Sequence, residues 1–267
     1  MDDPSKISVV IPVYNEEANL KALRDRLSPV MEGLGRPYEI ILIDDGSRDR
    51  SLEILKGLAA DPHFRIVELT RNYGQHAAIL AGFSVVRGGI VVTMDADLQN
   101  PPEEIPRLVE TMEKGGYDVV GTIRRQRKDS LLRTLPSRLI NIVARRITKV
   151  RMTDWGCMLR AYRRHIVDYM CACREHATFI PALATYFSKR ITEIEVGHEE
   201  RFGGTSNYSM WKLVNLQFDL VASFSDLPLK LLMYGGIGMA TLGVFFGIVL
   251  AVARLEYGAS WAAEGVF

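Results

Sequence analysis

Short apolar runs alternate with segments of helical periodicity through the first half of the chain, and this rhythm constrains the fold more than any single motif does. Ile7 to Val13, Tyr38 to Ile43, Phe64 to Leu69, Gly89 to Met94 and Asp118 to Ile123 read as buried strands. A strand covered on both faces is apolar along its whole length rather than at every second residue. Between the first two runs Leu20, Leu23, Leu27, Val30 and Leu34 recur at helical spacing, with Pro29 an expected kink. Further helices are expected up to Leu58, from His76 to Val86 and from Glu103 to Lys114. Strand and helix in alternation predict an α/β fold, a mostly parallel sheet with helices on both faces. A chain of 267 residues is long enough for one such core and an appendage.

Sheets of this kind bind ligands at the carboxyl ends of their strands. The polar clusters fall there in succession: Tyr14 and Glu16 after the first strand, Asp44 and Asp45 after the second, Asp95 and Asp97 after the fourth, Arg124 after the fifth. The DDGS run is also a good turn and helix-cap sequence, an ordinary reading that competes more strongly for Asp44 and Ser47 than for Asp45. No G-x-G-x-x-G follows the first strand and no P-loop is present, which counts against dinucleotide and Walker-type phosphate binding.

The most pointed cluster is Thr93 to Glu104, TMDADLQNPPEE. Alternate side chains of an extended chain share a face, so Asp95, Asp97 and Gln99 are expected to converge just past the strand. Their oxygens suit a hard divalent cation, Mg2+ or Mn2+, which keeps positions open for phosphate oxygens. The competing reading is a pair of acids that merely polarise a strand exit before the Pro101-Pro102 turn.

The formal net charge of +1 gives no reason to expect a nucleic-acid partner. The charge is unevenly spread, however: from Arg124 to Arg151 there are ten Lys or Arg against the single acid Asp129. Such a run, which includes an expected basic helix or helix pair from Leu131 to Val150, is a solvated face or a pocket for phosphates at an anionic surface. Arg127, Lys128, Arg145 and Arg146 would each add about 1 kcal/mol of attraction to anionic lipid. Cys157, Cys171 and Cys173 lack metal-site spacing and fit a reducing compartment. The acidic start, MDDPSK, and the break at Pro12 do not make a signal peptide. Leu231 to Ala253 carries no charge and is long enough to cross a hydrocarbon core of about 30 Å. Ahead of it, Trp211 to Phe224 has the mixed helical pattern of a segment on a membrane surface or packed on the soluble domain.

Taken together, IPVYNE, IDDGS, DADLQNPPEE, GTIRRQR and RFGGTSNYS, in that order and ahead of an uncharged segment, resemble the polyprenyl-phosphate glycosyltransferases of inverting glycosyltransferase family 2. The resemblance covers almost the whole chain. It implies a GT-A fold, Rossmann-like and flanked by helices, with juxtamembrane amphipathic helices and a C-terminal transmembrane helix. The implied spans are a catalytic domain over 1–204, a donor-covering loop and juxtamembrane region over 205–230, a membrane helix over 231–253, and at 254–267 a loop toward a second membrane helix that relatives carry. The implied partners are a UDP-sugar donor, undecaprenyl phosphate as acceptor, membrane lipids and further copies of the chain in a homo-tetramer. The implied cofactor is Mg2+ or Mn2+, and the implied location is the bacterial inner membrane with the catalytic domain on the cytoplasmic side.

Position by position, Asp95, Asp97 and Gln99 match the family's metal and diphosphate site. Pro12, Tyr14, Glu16 and Asp45 match the positions around base and ribose. Arg124, Arg133 and Ser137 match an acceptor-phosphate group, and Arg201, Ser206 and Tyr208 a loop that closes over the donor. Among these, Asp97, Arg124, Arg133 and Ser137 are the expected catalytic set. One departure is Asn207, where many relatives carry Lys. A phosphate monoester is mostly a dianion at neutral pH and is already a nucleophile, so such a site needs no general base. Residues around His76 and the 154–162 loop are candidates for reading the sugar.

Overall fold

A computed structural model describes residues 3–124, 154, 156–173, 179–197, 199 and 227–258. Arg133, Ser137, Arg201, Ser206, Asn207 and Tyr208 lie outside the described residues, as do the helices expected over 131–150 and 211–224 and the cations at 127, 128, 145 and 146. The chain divides into two compact units, residues 1–210 and 211–267.

The first unit begins β1 (Asp3–Val13), α1 (Leu20–Gly33), β2 (Tyr38–Asp44), α2 (Ser51–Leu58), β3 (Phe64–Glu68), α3 (Gln75–Phe83) and β4 (Gly88–Thr93). A single 3-10 turn at Pro102–Glu104 leads into α4 (Ile105–Gly115), then β5 (Val119–Arg124), β6 (Arg160–Arg163), α5 (Arg164–Ala172), α6 (Ile180–Phe187) and β7 (Ile191–Val196). The strands form one seven-stranded sheet in the order β3-β2-β1-β4-β6-β5-β7. The strands and helices expected within the described residues are present, with ends displaced by a few residues. The sheet is mixed, because β6 runs antiparallel to both β4 and β5, while every other pairing is parallel. Two antiparallel steps restore the direction, so β1 to β5 and β7 all end on one edge and β6 starts there. In register, Val13 lies opposite Asp44, Thr93 opposite Arg160 and Arg124 opposite Val196.

Alternation along the strands feeds two core layers. Val9, Ile11, Ile40 and Leu42 join Leu23 and Leu27 of α1 and Leu108 and Met112 of α4. On the other face Val10, Ile41 and Ile43 join Ile79 and Phe83 of α3, Ile166 and Val167 of α5 and Leu183 of α6. Pro29 is accommodated inside α1, a helix of 14 residues. Gly82 lets α3 approach the sheet closely: a Cβ there would meet Val10 Cγ1 at 2.6 Å and Ile43 Cδ1 at 2.8 Å.

In the second unit, α7 (Leu227–Tyr257) is a helix of 31 residues, about 46 Å long at 1.5 Å per residue. By length and composition its Leu232–Tyr257 stretch can cross a membrane. Thr241 Oγ1 donates back to the Ile237 and Gly238 carbonyls, which satisfies its hydroxyl within the helix.

The edge of the sheet opposite the strand ends carries a buried acid with a structural role. Glu39 accepts hydrogen bonds from Ser8 Oγ (2.6 Å) and the Arg87 N–H (2.7 Å), and pairs with Lys6 and Arg65 at 3.4 Å each. Burial alone would raise its carboxyl; the Ser8 and Arg87 bonds and the Lys6 charge outweigh that and hold it below the ordinary glutamate range. A depressed carboxylate contributes stability that is complete above the unfolded-state value and is lost as pH falls through the folded one. Glu39→Ala should therefore cost about 3 kcal/mol in urea unfolding at pH 7, and less at acidic pH. Its distance from the strand-end edge means that UDP affinity, read by calorimetry, should stay within about twofold of wild type.

Candidate functional site

The site is built where β4 ends. The strand stops at Thr93, and residues 96–100 turn rather than extend, with Leu98 in the left-handed region at φ 61°. This corrects the expectation of an extended D-x-D-x-Q segment. The reason lies in the core: Ala96, Leu98 and Asn100 are buried, and the chain turns as it seats them. Asp95, Asp97 and Gln99 remain half-buried on the side away from it, so the alternation in burial survives although the extended backbone does not. The Gln99 N–H donates to Asp97 Oδ1 at 3.1 Å, which holds the turn closed.

Asp95 is the electrostatic focus. Burial first, and then the charge of Asp97, push its carboxyl up to about 7; Glu16 acts in the same sense, while Arg124 and a hydrogen bond from Gln75 Nε2 oppose them. Residues of β1's exit, β4's exit, β5's end and α3's start thus meet around one carboxylate, as the polar clusters in the sequence predict. Among the described residues no three acidic, histidine or cysteine side chains form a closed metal cage. Two converging carboxylates that resist ionising together are a donor set suited to an open divalent site, where phosphate oxygens and water complete the shell.

Arg124 is oriented by a partner that sequence reasoning did not assign to it. Its Nε and Nη2 donate to the two oxygens of Asp154 at 2.8 and 3.0 Å, a bidentate and largely buried pair. Asp154 also accepts from the Gly156 N–H at 3.0 Å. Buried Arg160 donates to the Asp154 and Cys157 carbonyls at 2.6 and 2.7 Å. Thr122 Oγ1, buried in β5, reaches the Leu159 carbonyl at 2.7 Å. The loop before β6 is therefore lashed to the ends of β4 and β5. The one sequence signal for it was the DWGCMLRAY string itself. Gln75 was missed as well, its only signal being its place at the start of an expected helix.

Farther along the same edge, the loops after β1 and β2 are laced together. Asn15 and Glu16 donate backbone N–H groups to Ser47 Oγ (3.1 Å) and Ser51 Oγ (2.9 Å), and Asn15 Oδ1 accepts from the Arg48 N–H at 2.7 Å. Pro12 and Tyr14 are half-buried beside them. Asp44 accepts from the Ser47 N–H at 3.2 Å, the turn role that its sequence allowed. Buried Asp45 accepts from the Tyr73 and Gly74 N–H groups at 2.7 and 2.9 Å, and its burial raises the carboxyl above the ordinary range. Gly46 has φ +69°, and a Cβ there would meet the Arg71 carbonyl carbon at 2.6 Å, so only glycine fits this turn. A cleft of about 330 Å3 opens here between the loops after β2 and β3, lined by Asp44, Ser47, Leu69 and Arg71 among others.

The exit of β7 is tied to the acid turn. The Glu199 N–H donates to the Gln99 carbonyl at 2.9 Å, and the Gly197 N–H to Glu104 Oε1 at 3.2 Å. Arg26 of α1 bridges Glu103 and Glu199 at 2.8 Å each, two residues ahead of Arg201. These groups are partly exposed, and their value is in fixing direction more than in stability.

The Glycosyl transferase family 2 model matches residues 8–170. The chain is 53% identical over 263 residues to a Shewanella sediminis protein, covering 98% of this chain and 79% of that one. It is 56% identical over 263 residues to a Pseudomonas aeruginosa protein, with 98% and 77% covered. Both are named undecaprenyl-phosphate 4-deoxy-4-formamido-L-arabinose transferase. Among solved structures, glucosyl-3-phosphoglycerate synthase from Mycobacterium tuberculosis in complex with Mn2+, uridine diphosphate and phosphoglyceric acid superposes with a TM-score of 0.62. It is 22% identical, over 82% of this chain and 77% of that one. At that identity the likeness establishes the fold, which is of the expected GT-A type.

The crowding around Asp95 sets a sign for pH dependence. A carboxylate whose folded value is raised costs stability as pH climbs from the unfolded-state value, about 3.9, to the folded one near 7. Without metal at pH 8, Asp95→Asn should therefore raise the urea midpoint. Mn2+ binding to wild type should release close to one proton at pH 6 and almost none at pH 8.5, read by calorimetry in buffers of different ionisation heat. A proton count of zero at both values would contradict the assignment.

Proposed function

The chain belongs to glycosyl transferase family 2, and on that premise we propose that it transfers 4-deoxy-4-formamido-L-arabinose from a UDP donor to undecaprenyl phosphate, inverting the anomeric carbon. The observation that carries this reading is the convergence of Asp95, Asp97 and Arg124 at one sheet edge. Two carboxylates and an oriented guanidinium suit a reaction between two phosphate-bearing substrates. A sugar hydroxyl as acceptor would instead call for a general base.

Asp95 and Asp97, with Gln99 nearby, would hold a divalent cation, Mg2+ or Mn2+, which would supply the positive charge that a departing diphosphate needs. The chain's own residues do the rest. Pro12, Tyr14, Glu16 and Asp45 shape the place for base and ribose, where the two laced loops leave little freedom. Arg124, fixed in plane by Asp154, presents one orientation of its charge to the acids, and with Arg133 and Ser137 it receives the acceptor phosphate. Arg201, Ser206 and Tyr208 close over the donor from a loop that begins where Arg26 pins Glu199. Holding the acceptor dianion in line behind the anomeric carbon gives inversion. On the same reading α7 anchors the catalytic domain on the cytoplasmic side of the bacterial inner membrane. The assembly is a homo-tetramer, and the product serves lipid A modification and polymyxin resistance.

Mass spectrometry of the lipid product tests the reading, after incubation with undecaprenyl phosphate, Mn2+ and a panel of UDP and GDP sugars. The formamido-pentosyl lipid should dominate; a glucosyl or mannosyl lipid in its place would overturn the sugar assignment. Asp97→Asn should lower turnover roughly 100-fold, the loss of about 3 kcal/mol of charge stabilisation, with the unfolding midpoint preserved.

A further inference from the structure

His76 is the second residue of α3, and the start of that helix hangs between two parts of the site. On one side, the Gly74 N–H donates to Asp45 at 2.9 Å. On the other, Gln75 donates its side-chain amide to Asp95. The imidazole packs edge-on against Phe179, with ring centroids 4.9 Å apart and an interplanar angle of 72°. Its Nδ1 is buried and has no hydrogen-bond partner among the described residues. Burial, and then the charge of buried Arg160, push the imidazole down to about 4, so the ring is neutral at physiological pH.

An orphaned buried nitrogen is costly, and native proteins leave few of them. Phenylalanine would fill the same space against Phe179 without that cost. A polar ring kept here, unpartnered among the described residues, is one that a bound group would complete. The sheet order says what that partner is: Asp45 follows β2 and Asp95 follows β4, while His76 packs toward Phe179 and Arg160 of β6, on the side of β4 away from β2, so on the functional reading above the next polar group past the diphosphate is on the sugar. A neutral imidazole can give or accept one hydrogen bond according to its tautomer. Arg160 adds a sign, because a buried guanidinium repels an ammonium and tolerates a neutral amide.

We propose that His76 is a specificity-determining residue whose unpartnered ring nitrogen bonds the amide-type substituent of the donor sugar, with Arg160 beside it disfavouring the unformylated, cationic amine. The inference rests on the functional reading above and deepens it by assigning the group that reads the sugar. It differs from a packing role in its consequences. A packing histidine matters equally for all donors, whereas a reading histidine matters only for the donor that carries the group.

The test compares kcat/KM for the UDP-linked 4-formamido and 4-amino forms of the same pentose in wild type, His76→Phe and His76→Gln, alongside UDP affinity and thermal unfolding. In His76→Phe, kcat/KM for the formamido donor should fall about 30-fold, as expected when a site built to hydrogen-bond a substrate loses that bond. The amino donor should change less than about threefold, so that discrimination collapses, while UDP affinity and the unfolding midpoint are preserved or improved. His76→Gln, which restores a neutral donor and acceptor, should recover part of the discrimination and keeps the test alive if the phenylalanine variant does not fold. An unchanged formamido-to-amino ratio in both variants, or an equal loss for both donors together with weaker UDP binding, would overturn the inference. A wild type that transfers neither form but another sugar would instead overturn the functional reading, an outcome visible before any variant is made.

Discussion

Two carboxylates crowded into the turn after β4 are the constraint from which the rest of the site follows. Asp95 and Asp97 sit close enough for their charges to repel, on a segment whose alternate residues Ala96, Leu98 and Asn100 are committed to the core. Glu16 adds a third negative charge within range, and among the described residues Arg124 and the Gln75 amide oppose them. The protein thus carries a local excess of negative charge that a divalent cation would neutralise. The sheet makes this possible. Six strands ending on one edge, with β6 starting there, bring segments far apart in the chain to one place.

Each charged group at that edge is in turn held by another. Asp154 takes Arg124 in a two-point grip, Arg160 braces Asp154 through its carbonyl, and Arg26 anchors Glu199 to Glu103. Such bracing is what electrostatic preorganisation requires: charges already oriented when substrate arrives need no rearrangement during the reaction. Glu39 is the instructive contrast. It is buried and fully bonded, but it lies at the opposite edge, and its bonds from Ser8 and Arg87 tie strands together.

Much of this was legible in the sequence because period and position are local properties. Continuous apolar runs identified the first five strands, and the places where they gave way to Tyr14, Asp45, Asp95 and Arg124 marked the functional edge. Long-range pairing was not legible. The antiparallel insertion of β6 between β4 and β5 depends on a return across the sheet that no local pattern encodes. The Arg124–Asp154 pair joins residues 30 positions apart. The turn at Leu98 likewise overrode an extended reading of D-x-D-x-Q, because burying Leu98 and Asn100 fixes the backbone more firmly than strand propensity does. Gln75 became informative only when α3 was seen to start against Asp45 and Asp95.

The most direct measurement of the central claim is electron–nuclear double resonance on Mn2+ added to the protein together with UDP. If Asp95 and Asp97 hold a cation that grips the nucleotide diphosphate, phosphorus hyperfine couplings will appear in the wild-type spectrum and vanish in Asp97→Asn. Mn2+ that binds with no phosphorus coupling, or a coupling that persists when Asp97 is replaced, would contradict the account.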